Sequence, residues 1–159
     1  YAAQGRSADA GRALAAGSAG DETPTISFFY NDRPADALFY QAVTRDLAGD
    51  EDGARGLLYK LRDHGLDHLH DDVQIDFFAV SLPDFLVFEE DLKLRNRRFC
   101  SYLLALGEWG LEDMKAGVAR MEQLVSEDPG YPEARYALRF FEQRAKEAQQ
   151  SHENSPDRR

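Results

Sequence analysis

The stretch from residue 104 to residue 138, LALGEWGLEDMKAGVARMEQLVSEDPGYPEARYAL, decides the fold class. Apolar residues recur in it three and four positions apart, which is the spacing of one face of an α-helix. Asp128-Pro129-Gly130 interrupts this pattern, because proline and glycine end helices and begin turns. The stretch therefore predicts helices joined by short turns.

The same pattern occurs upstream. Ala54, Leu57, Leu58 and Leu61 form the apolar stripe of one helix, and Ala48-Gly49-Asp50 separates it from the helix before. Gly49 can adopt the positive φ that ends a helix, and Asp50 can cap the next one. We therefore expect an all-α fold, with antiparallel helices near residues 2–16, 35–48, 51–64, 94–110, 114–127 and 131–146.

The helix pair recurs along the chain at three offsets. Gly5, Ala10 and Leu14 have the spacing of Gly49, Ala54 and Leu58, which lie 44 residues later. Gln41, Ala54 and Leu61 have the same spacing as Leu104, Gly117 and Leu124, which lie 63 residues later. Ser101, Leu104 and Glu108 have the same spacing as Arg135, Leu138 and Glu142, which lie 34 residues later. The chain therefore repeats one helical unit.

These segments resemble tetratricopeptide repeats, whose period is about 34 residues. The resemblance covers about 110 of the 159 residues. In that family small residues stand where helices cross, a glycine forms the turn and a proline closes the repeat. The corresponding residues here are Ala42, Ala54 and Ala105, then Gly5 and Gly49, then Pro129.

The sequence departs from that family pattern in two ways. Glu112 stands at the turn position and Gly117 at the small-residue position. The offsets of 44 and 63 exceed one period, which indicates insertions within about residues 18–35 and 64–95. We therefore divide the chain into a tetratricopeptide-like domain over residues 1–146, interrupted by an inserted segment at about 66–93, and a disordered tail over 147–159.

The resemblance implies a short solenoid whose concave face is lined by the first helix of each pair. On this register the face presents seven aromatic or apolar residues: Phe39, Val43, Tyr102, Leu106, Trp109, Tyr136 and Phe140. They form either a groove for a peptide, a neighbouring domain or a second copy, or a core beneath the inserted segment. The Lys, Asn and Arg residues that related repeats use to hold a chaperone's C-terminal carboxylate are absent from these positions.

The inserted segment is apolar and aromatic between residues 73 and 92, so we expect it to pack on the repeats or on another domain. With Arg95-Asn96-Arg97 it resembles the C-terminal repeat region of large bacterial proteins that carry an upstream domain of unknown function. Those proteins are linked to carbohydrate metabolism. That resemblance implies a fragment, and so does the first residue, Tyr1, which would fall inside a helix.

Composition excludes several classes of protein. The chain has 29 acidic and 19 basic residues, a net charge of −10, and 43% hydrophobic residues, so it can bury a core. The acidic balance argues against a nucleic-acid partner, and no apolar run is long enough for a membrane span. Residues 46–92 hold 13 acids and three bases, and so carry the whole imbalance. This block is either a solvated face or a patch for a cationic partner.

Four groups of residues contain side chains that could carry chemistry. His64, Asp67 and His68 could share a helix face as metal ligands, but a polar helix end explains them better. Asp76, Asp84, Glu89, Glu90 and Asp91 offer carboxylate pairs, as any acidic stretch does. Cys100 lies in an apolar helix, where a thiol packs as a small hydrophobe. The basic cluster of Lys93, Arg95, Arg97 and Arg98 is expected to form ion pairs within the chain.

The sequence thus predicts no catalytic residue, no metal and no cofactor. We expect a non-catalytic scaffold for protein–protein or interdomain contacts. The alternative is an accessory module of a bacterial carbohydrate-active enzyme. The expected partner is a protein or an upstream domain of the same chain, with a homo-oligomer also open and with no nucleic acid or membrane. A single cysteine suits a reducing compartment, so we expect a cytoplasmic location.

Overall fold

A computed structural model describes residues 1, 4–25, 34–73, 91–111 and 113–153. Over these ranges the chain forms six α-helices and no β-strand: α1 (Ser7–Gly17), α2 (Ala37–Leu47), α3 (Glu51–Asp67), α4 (Leu92–Gly110), α5 (Met114–Glu127) and α6 (Pro132–Glu153). Each helix packs against the next one along the chain, and α2 also contacts α4. The all-α prediction is confirmed.

The turn between α2 and α3 has the predicted form. Gly49 has a φ of 86°, a conformation that costs glycine little, and the Asp50 carboxylate accepts a hydrogen bond of 3.0 Å from the backbone N–H of Gly53. Gly5, which lies 44 residues earlier in the repeat register, also has a positive φ, of 71°. The two glycines thus have similar backbone conformations at matching positions.

Close backbone contacts join α3, α4 and α5 at three glycines. A Cβ atom on Gly65 would lie 2.7 Å from the carbonyl oxygen of Cys100, and one on Gly117 would lie 2.7 Å from that of Ala105. A Cβ atom on Gly107 would lie 2.7 Å from the Cβ of Arg62. These helices cross too closely for any side chain at the three positions.

The hydrophobic core is formed by α2 to α6. Ala42, Ala54 and Ala105, the small residues expected at helix crossings, are all buried. By contrast, α1 contributes no buried residue. Polar contacts tie the segment that follows α1 to the rest: Ala19 accepts a hydrogen bond of 3.0 Å from Gln41, and Glu22 forms ion pairs with Arg45 at 2.5 Å and Lys60 at 2.8 Å.

Three helix ends differ from the sequence prediction by three residues or more, namely the start of α1 and the ends of α3 and α6. α1 begins at Ser7 rather than near residue 2, because the N–H groups of Gln4 and Arg6 close a turn on the carbonyl of Tyr1. α3 runs three residues past its predicted end at 64 and includes Gly65, whose lack of a side chain permits the contact with α4.

α6 extends to Glu153, so residues 147–153 of the predicted disordered tail are helical in the structure. Side-chain pairs along the helix support this extension: Gln143 donates to Glu147 at 2.9 Å, and Arg144 pairs with the same carboxylate at 3.5 Å. Alanine, glutamate, lysine and glutamine also favour a helix here. Residues 154–159 and the apolar stretch 74–90 lie outside the described residues.

Candidate functional site

The seven residues predicted to line a concave face fall into three groups by exposure. Phe39, Tyr102 and Leu106 are buried, with about 1% of Phe39 exposed. Val43, Trp109 and Phe140 are partly buried and pack against the core. Tyr136 is 65% exposed. The stripe therefore runs from the core to the surface.

An aromatic cluster occupies the region where α2, α4 and α6 meet. The ring of Phe39 lies 5.9 Å from Trp109 and 5.8 Å from Phe140, both in edge-to-face geometry. Trp109 stacks on Phe141 with ring centroids 4.3 Å apart and planes 4° from parallel. Such pairs contribute packing energy beyond their buried area. These members of the predicted face therefore act as core between helices.

A shallow cleft of about 390 Å³, the Trp109 cleft, opens at one end of the cluster. Phe39, Val43 and Trp109 form part of its wall. Four charged residues also line it, two acidic and two basic: Asp46, Glu51, Arg55 and Arg144. Among the described lining residues, the acidic and basic charges are therefore equal in number.

A larger cavity of about 660 Å³ opens where α2, α4 and α6 begin. We call it the three-helix cavity. Its apolar wall includes Leu94 and Phe99 of α4, and its polar wall includes Asp36, Arg98, Tyr102, Asp128, Tyr131 and Glu133. Of the seven predicted face residues, only Tyr102 is in this lining. The volume is that of a typical ligand pocket.

Two tyrosines stand together in the three-helix cavity. The rings of Tyr102 and Tyr131 lie 5.8 Å apart at 63°, and the Tyr102 hydroxyl donates a hydrogen bond of 3.4 Å to the Asp36 carboxylate. Burial raises the pKa of both phenols well above its usual value, and nearby carboxylates add to the shift. Both hydroxyls therefore stay protonated and can act as hydrogen-bond donors.

Asp36 precedes α2 but makes no capping hydrogen bond. Burial raises the pKa of its carboxyl group, the Tyr102 hydroxyl opposes that shift, and the neighbouring charge of Glu133 adds to it. Within the described part of the chain, no lysine or arginine pairs with this carboxylate. Asp36 is thus a partly buried acid with a donor but no counter-charge.

Arg98 is neutralised by a neighbouring acid. Its guanidinium lies 3.0 Å from the Asp128 carboxylate and 3.5 Å from the carbonyl of Glu127, while its buried Nε has no partner among the described atoms. Lys93 likewise pairs with Asp72 at 2.9 Å. Two members of the predicted basic cluster therefore form ion pairs within the chain, as expected.

The histidines at the end of α3 lie close to each other and to a carboxylate. The rings of His64 and His68 lie 4.5 Å apart, but His68 contacts Asp71 at 2.6 Å, and the described ranges contain no group of three or more metal-ligating side chains. The backbone carbonyl of His68, at the end of the helix, accepts a hydrogen bond of 2.8 Å from the side-chain amide of Asn96. This region acts as a helix end.

His64 should make the fold less stable in acid. Burial lowers its pKa below 6.5, His68 lowers it further, and Asp67 and Asp71 oppose the shift only partly. As the pH falls below about 6.5, the unfolded chain therefore takes up a proton more readily than the folded chain, and the free energy of unfolding decreases. Urea denaturation should show that the free energy of unfolding decreases less between pH 7.5 and pH 5.5 for His64→Gln than for the wild type.

The matched control for that measurement is His70→Gln, because the His70 side chain is exposed. This variant should lose as much stability between the two pH values as the wild type does. If His64→Gln also behaves like the wild type, His64 does not contribute to the acid sensitivity.

Cys100 is fully buried in α4, and its Sγ lies 3.6 Å from the side-chain oxygen of Asn96. Burial raises the pKa of the thiol to about 11, so it is protonated at neutral pH. This agrees with its predicted packing role. Of the five carboxylates that the sequence offered as possible pairs, Asp91 caps α4 by accepting a hydrogen bond of 3.0 Å from the backbone N–H of Leu94, and the other four lie outside the described residues.

Asp36, Tyr131 and Glu133 were not predicted as site residues. Their spacing carries no motif, because they come from the start of α2 and the start of α6 and meet only in the folded chain.

Within the described ranges, no helix is both long enough and apolar enough to cross a membrane. No family model matches the chain, and no solved structure matches it.

Proposed function

We propose that this protein is a non-catalytic helical-repeat scaffold that binds a polypeptide segment of a partner protein in the three-helix cavity. The observation that carries the proposal is the cavity itself. It combines apolar wall residues such as Leu94 and Phe99 with protonated phenols and charged groups. Apolar walls suit side chains of a bound segment, and the polar groups suit its backbone and charges.

The repeat character supports the scaffold assignment. Gly5 and Gly49 have similar positive φ values at matching positions of the repeat register, and the alanines expected at helix crossings are buried. Helices pack in chain order, as they do in tetratricopeptide-like arrays. On that register the cavity lies at the starts of α2, α4 and α6, the first helices of successive pairs.

The net charge supports a protein as the partner, and the single cysteine supports a cytoplasmic location. A net charge of −10 favours a protein partner over a nucleic acid, because phosphates would be repelled. A lone buried thiol suits a reducing compartment, and we propose the cytoplasm.

A displayed library of random 12-residue peptides, panned against the whole chain, tests the proposal. Enriched peptides should bind the wild type at least tenfold more tightly than Leu94→Trp, because the indole would occupy the cavity. Leu94 is only partly buried, so this change removes little core packing. Circular dichroism and thermal unfolding would verify that the variant is folded.

The control variant is Tyr136→Ala, since Tyr136 is exposed and lines neither cavity. It should bind the enriched peptides as the wild type does. Failure to enrich any peptide, or equal binding by Leu94→Trp, would overturn the proposed function.

A further inference from the structure

We infer that the three-helix cavity selects a lysine or arginine side chain of the bound segment, with Asp36 and Glu133 as its counter-charges. This inference rests on the proposed function and names the chemistry of its partner. It depends on the charges, the burial and the aromatic rings of the cavity.

The charges that line the cavity are unbalanced. Among the described lining residues, four are acidic and two are basic: Asp36, Asp91, Asp128 and Glu133, against Arg95 and Arg98. Two of the acids are already engaged, because Asp128 pairs with Arg98 and Asp91 caps α4. Asp36 and Glu133 remain, and within the described ranges neither has a cationic partner.

Asp36 is partly buried, Glu133 is exposed, and both line the cavity. Burial and the charge of Glu133 both raise the pKa of Asp36, which means that its ionised form lacks full compensation. The Tyr102 hydroxyl, at 3.4 Å, provides the only side-chain hydrogen bond to Asp36 within the described part of the chain. A cation placed beside the two carboxylates would offset this repulsion and favour the ionised form of Asp36.

An aromatic ring completes the cation site. Tyr131 is partly buried and lines the cavity, and a cation within about 6 Å of a ring face is attracted by its π-electrons. The methylene stem of lysine or arginine would meet the apolar wall formed by Leu94 and Phe99. The arrangement therefore fits a long cationic side chain better than a small metal ion.

An anion fits the cavity less well. The positive ends of α2, α4 and α6 face it and would favour negative charge. However, each of these helix starts already has an acid of the chain beside it, namely Asp36, Asp91 and Glu133. Of the two cations in the described lining, Arg98 is paired with Asp128 at 3.0 Å, and Arg95 also has an interaction within the chain.

Nuclear magnetic resonance titrations of the whole chain with n-butylammonium, n-butanol and n-butyrate test the sign of the ligand charge. The ammonium should produce saturable shifts at the backbone amides of Asp36, Tyr102, Tyr131 and Glu133, and butyrate should produce none. Asp36→Asn and Glu133→Gln should each raise the dissociation constant of n-butylammonium at least fivefold. Glu122→Gln, an exposed change on α5 outside the cavity, should leave that constant unchanged.

The peptide experiment separates failure of this inference from failure of the proposed function. Enriched peptides should contain a lysine or arginine whose replacement by norleucine weakens binding at least tenfold. Peptides without a cation that still depend on Leu94 would support the proposed function and overturn the inference. Equal shifts with butyrate, or ammonium binding unchanged in both acid variants, would also overturn the inference. Ammonium binding without any enriched peptide would overturn the proposed function and support the cation preference of the cavity.

Discussion

Replacing Phe39 with alanine is expected to lower the free energy of unfolding by about 3–5 kcal/mol, the usual cost of deleting a buried aromatic ring. Only 1% of Phe39 is exposed, and its ring meets those of Tyr40, Trp109, Phe140 and Phe141 at centroid distances of 5.5–6.3 Å. The deletion would leave a cavity where α2, α4 and α6 meet, and surrounding rings can collapse into it only partly.

Urea denaturation of the whole chain would measure this loss. Tyr136→Ala is the matched control, because Tyr136 holds the equivalent position in the repeat register but is 65% exposed. Its effect should stay within about 0.5 kcal/mol. If both variants lose similarly little stability, Phe39 would not be part of the core, and the aromatic stripe would have to be regarded as a surface.

Gly117→Val should destabilise the protein almost as much as Phe39→Ala. We expect the free energy of unfolding to fall by about 3 kcal/mol, at the upper end of the cost of overpacking. A Cβ atom there would lie 2.7 Å from three atoms of α4: the carbonyl oxygen of Ala105, and the N and Cβ of Trp109. Two of these are backbone atoms, so α4 and α5 would have to separate. For a chain of this size, the melting temperature should fall by roughly 6–12 °C.

Gly56→Ala in α3 provides the control for Gly117→Val. A Cβ atom on Gly56 would meet nothing within 4 Å, so the change only improves helix propensity. It should stabilise the protein by about 0.5–1 kcal/mol. A melting temperature that Gly117→Val leaves unchanged would show that α4 and α5 do not cross as closely as described.

Local signals account for most of what the sequence predicted correctly. The apolar period, the turn glycine at 49 and the cap at Asp50 act within a few residues, so they can be read from the sequence. All six helices were predicted, and α5 has the predicted bounds. Gly65 illustrates the limit of such signals. The predicted helix end near residue 64 left Gly65 outside the helix, whereas in the structure Gly65 lies inside α3, close to the carbonyl oxygen of Cys100 on α4.

The candidate site could not be predicted from residue spacing, because spacing does not show which helices cover a given residue. The repeat register placed Phe39, Tyr102 and Tyr136 at one equivalent position, yet the first two are buried and the third is exposed. A repeat register specifies which helix face a residue occupies, but not which neighbour covers it. The three-helix cavity was missed for a related reason, since Asp36, Arg98 and Tyr131 lie far apart along the chain and their pairing is set by tertiary packing.

The weak attachment of α1 makes the stability of this molecule uneven from one end to the other. Because α1 contributes no buried residue, it can detach in a local opening that leaves the aromatic cluster and the glycine crossings intact. The ion pairs of Glu22 with Arg45 and Lys60 oppose that opening, and dissolved salt screens them. Ionic strength can therefore tune how often the surface of α2 beneath α1 is uncovered, without any change in the remainder of the core.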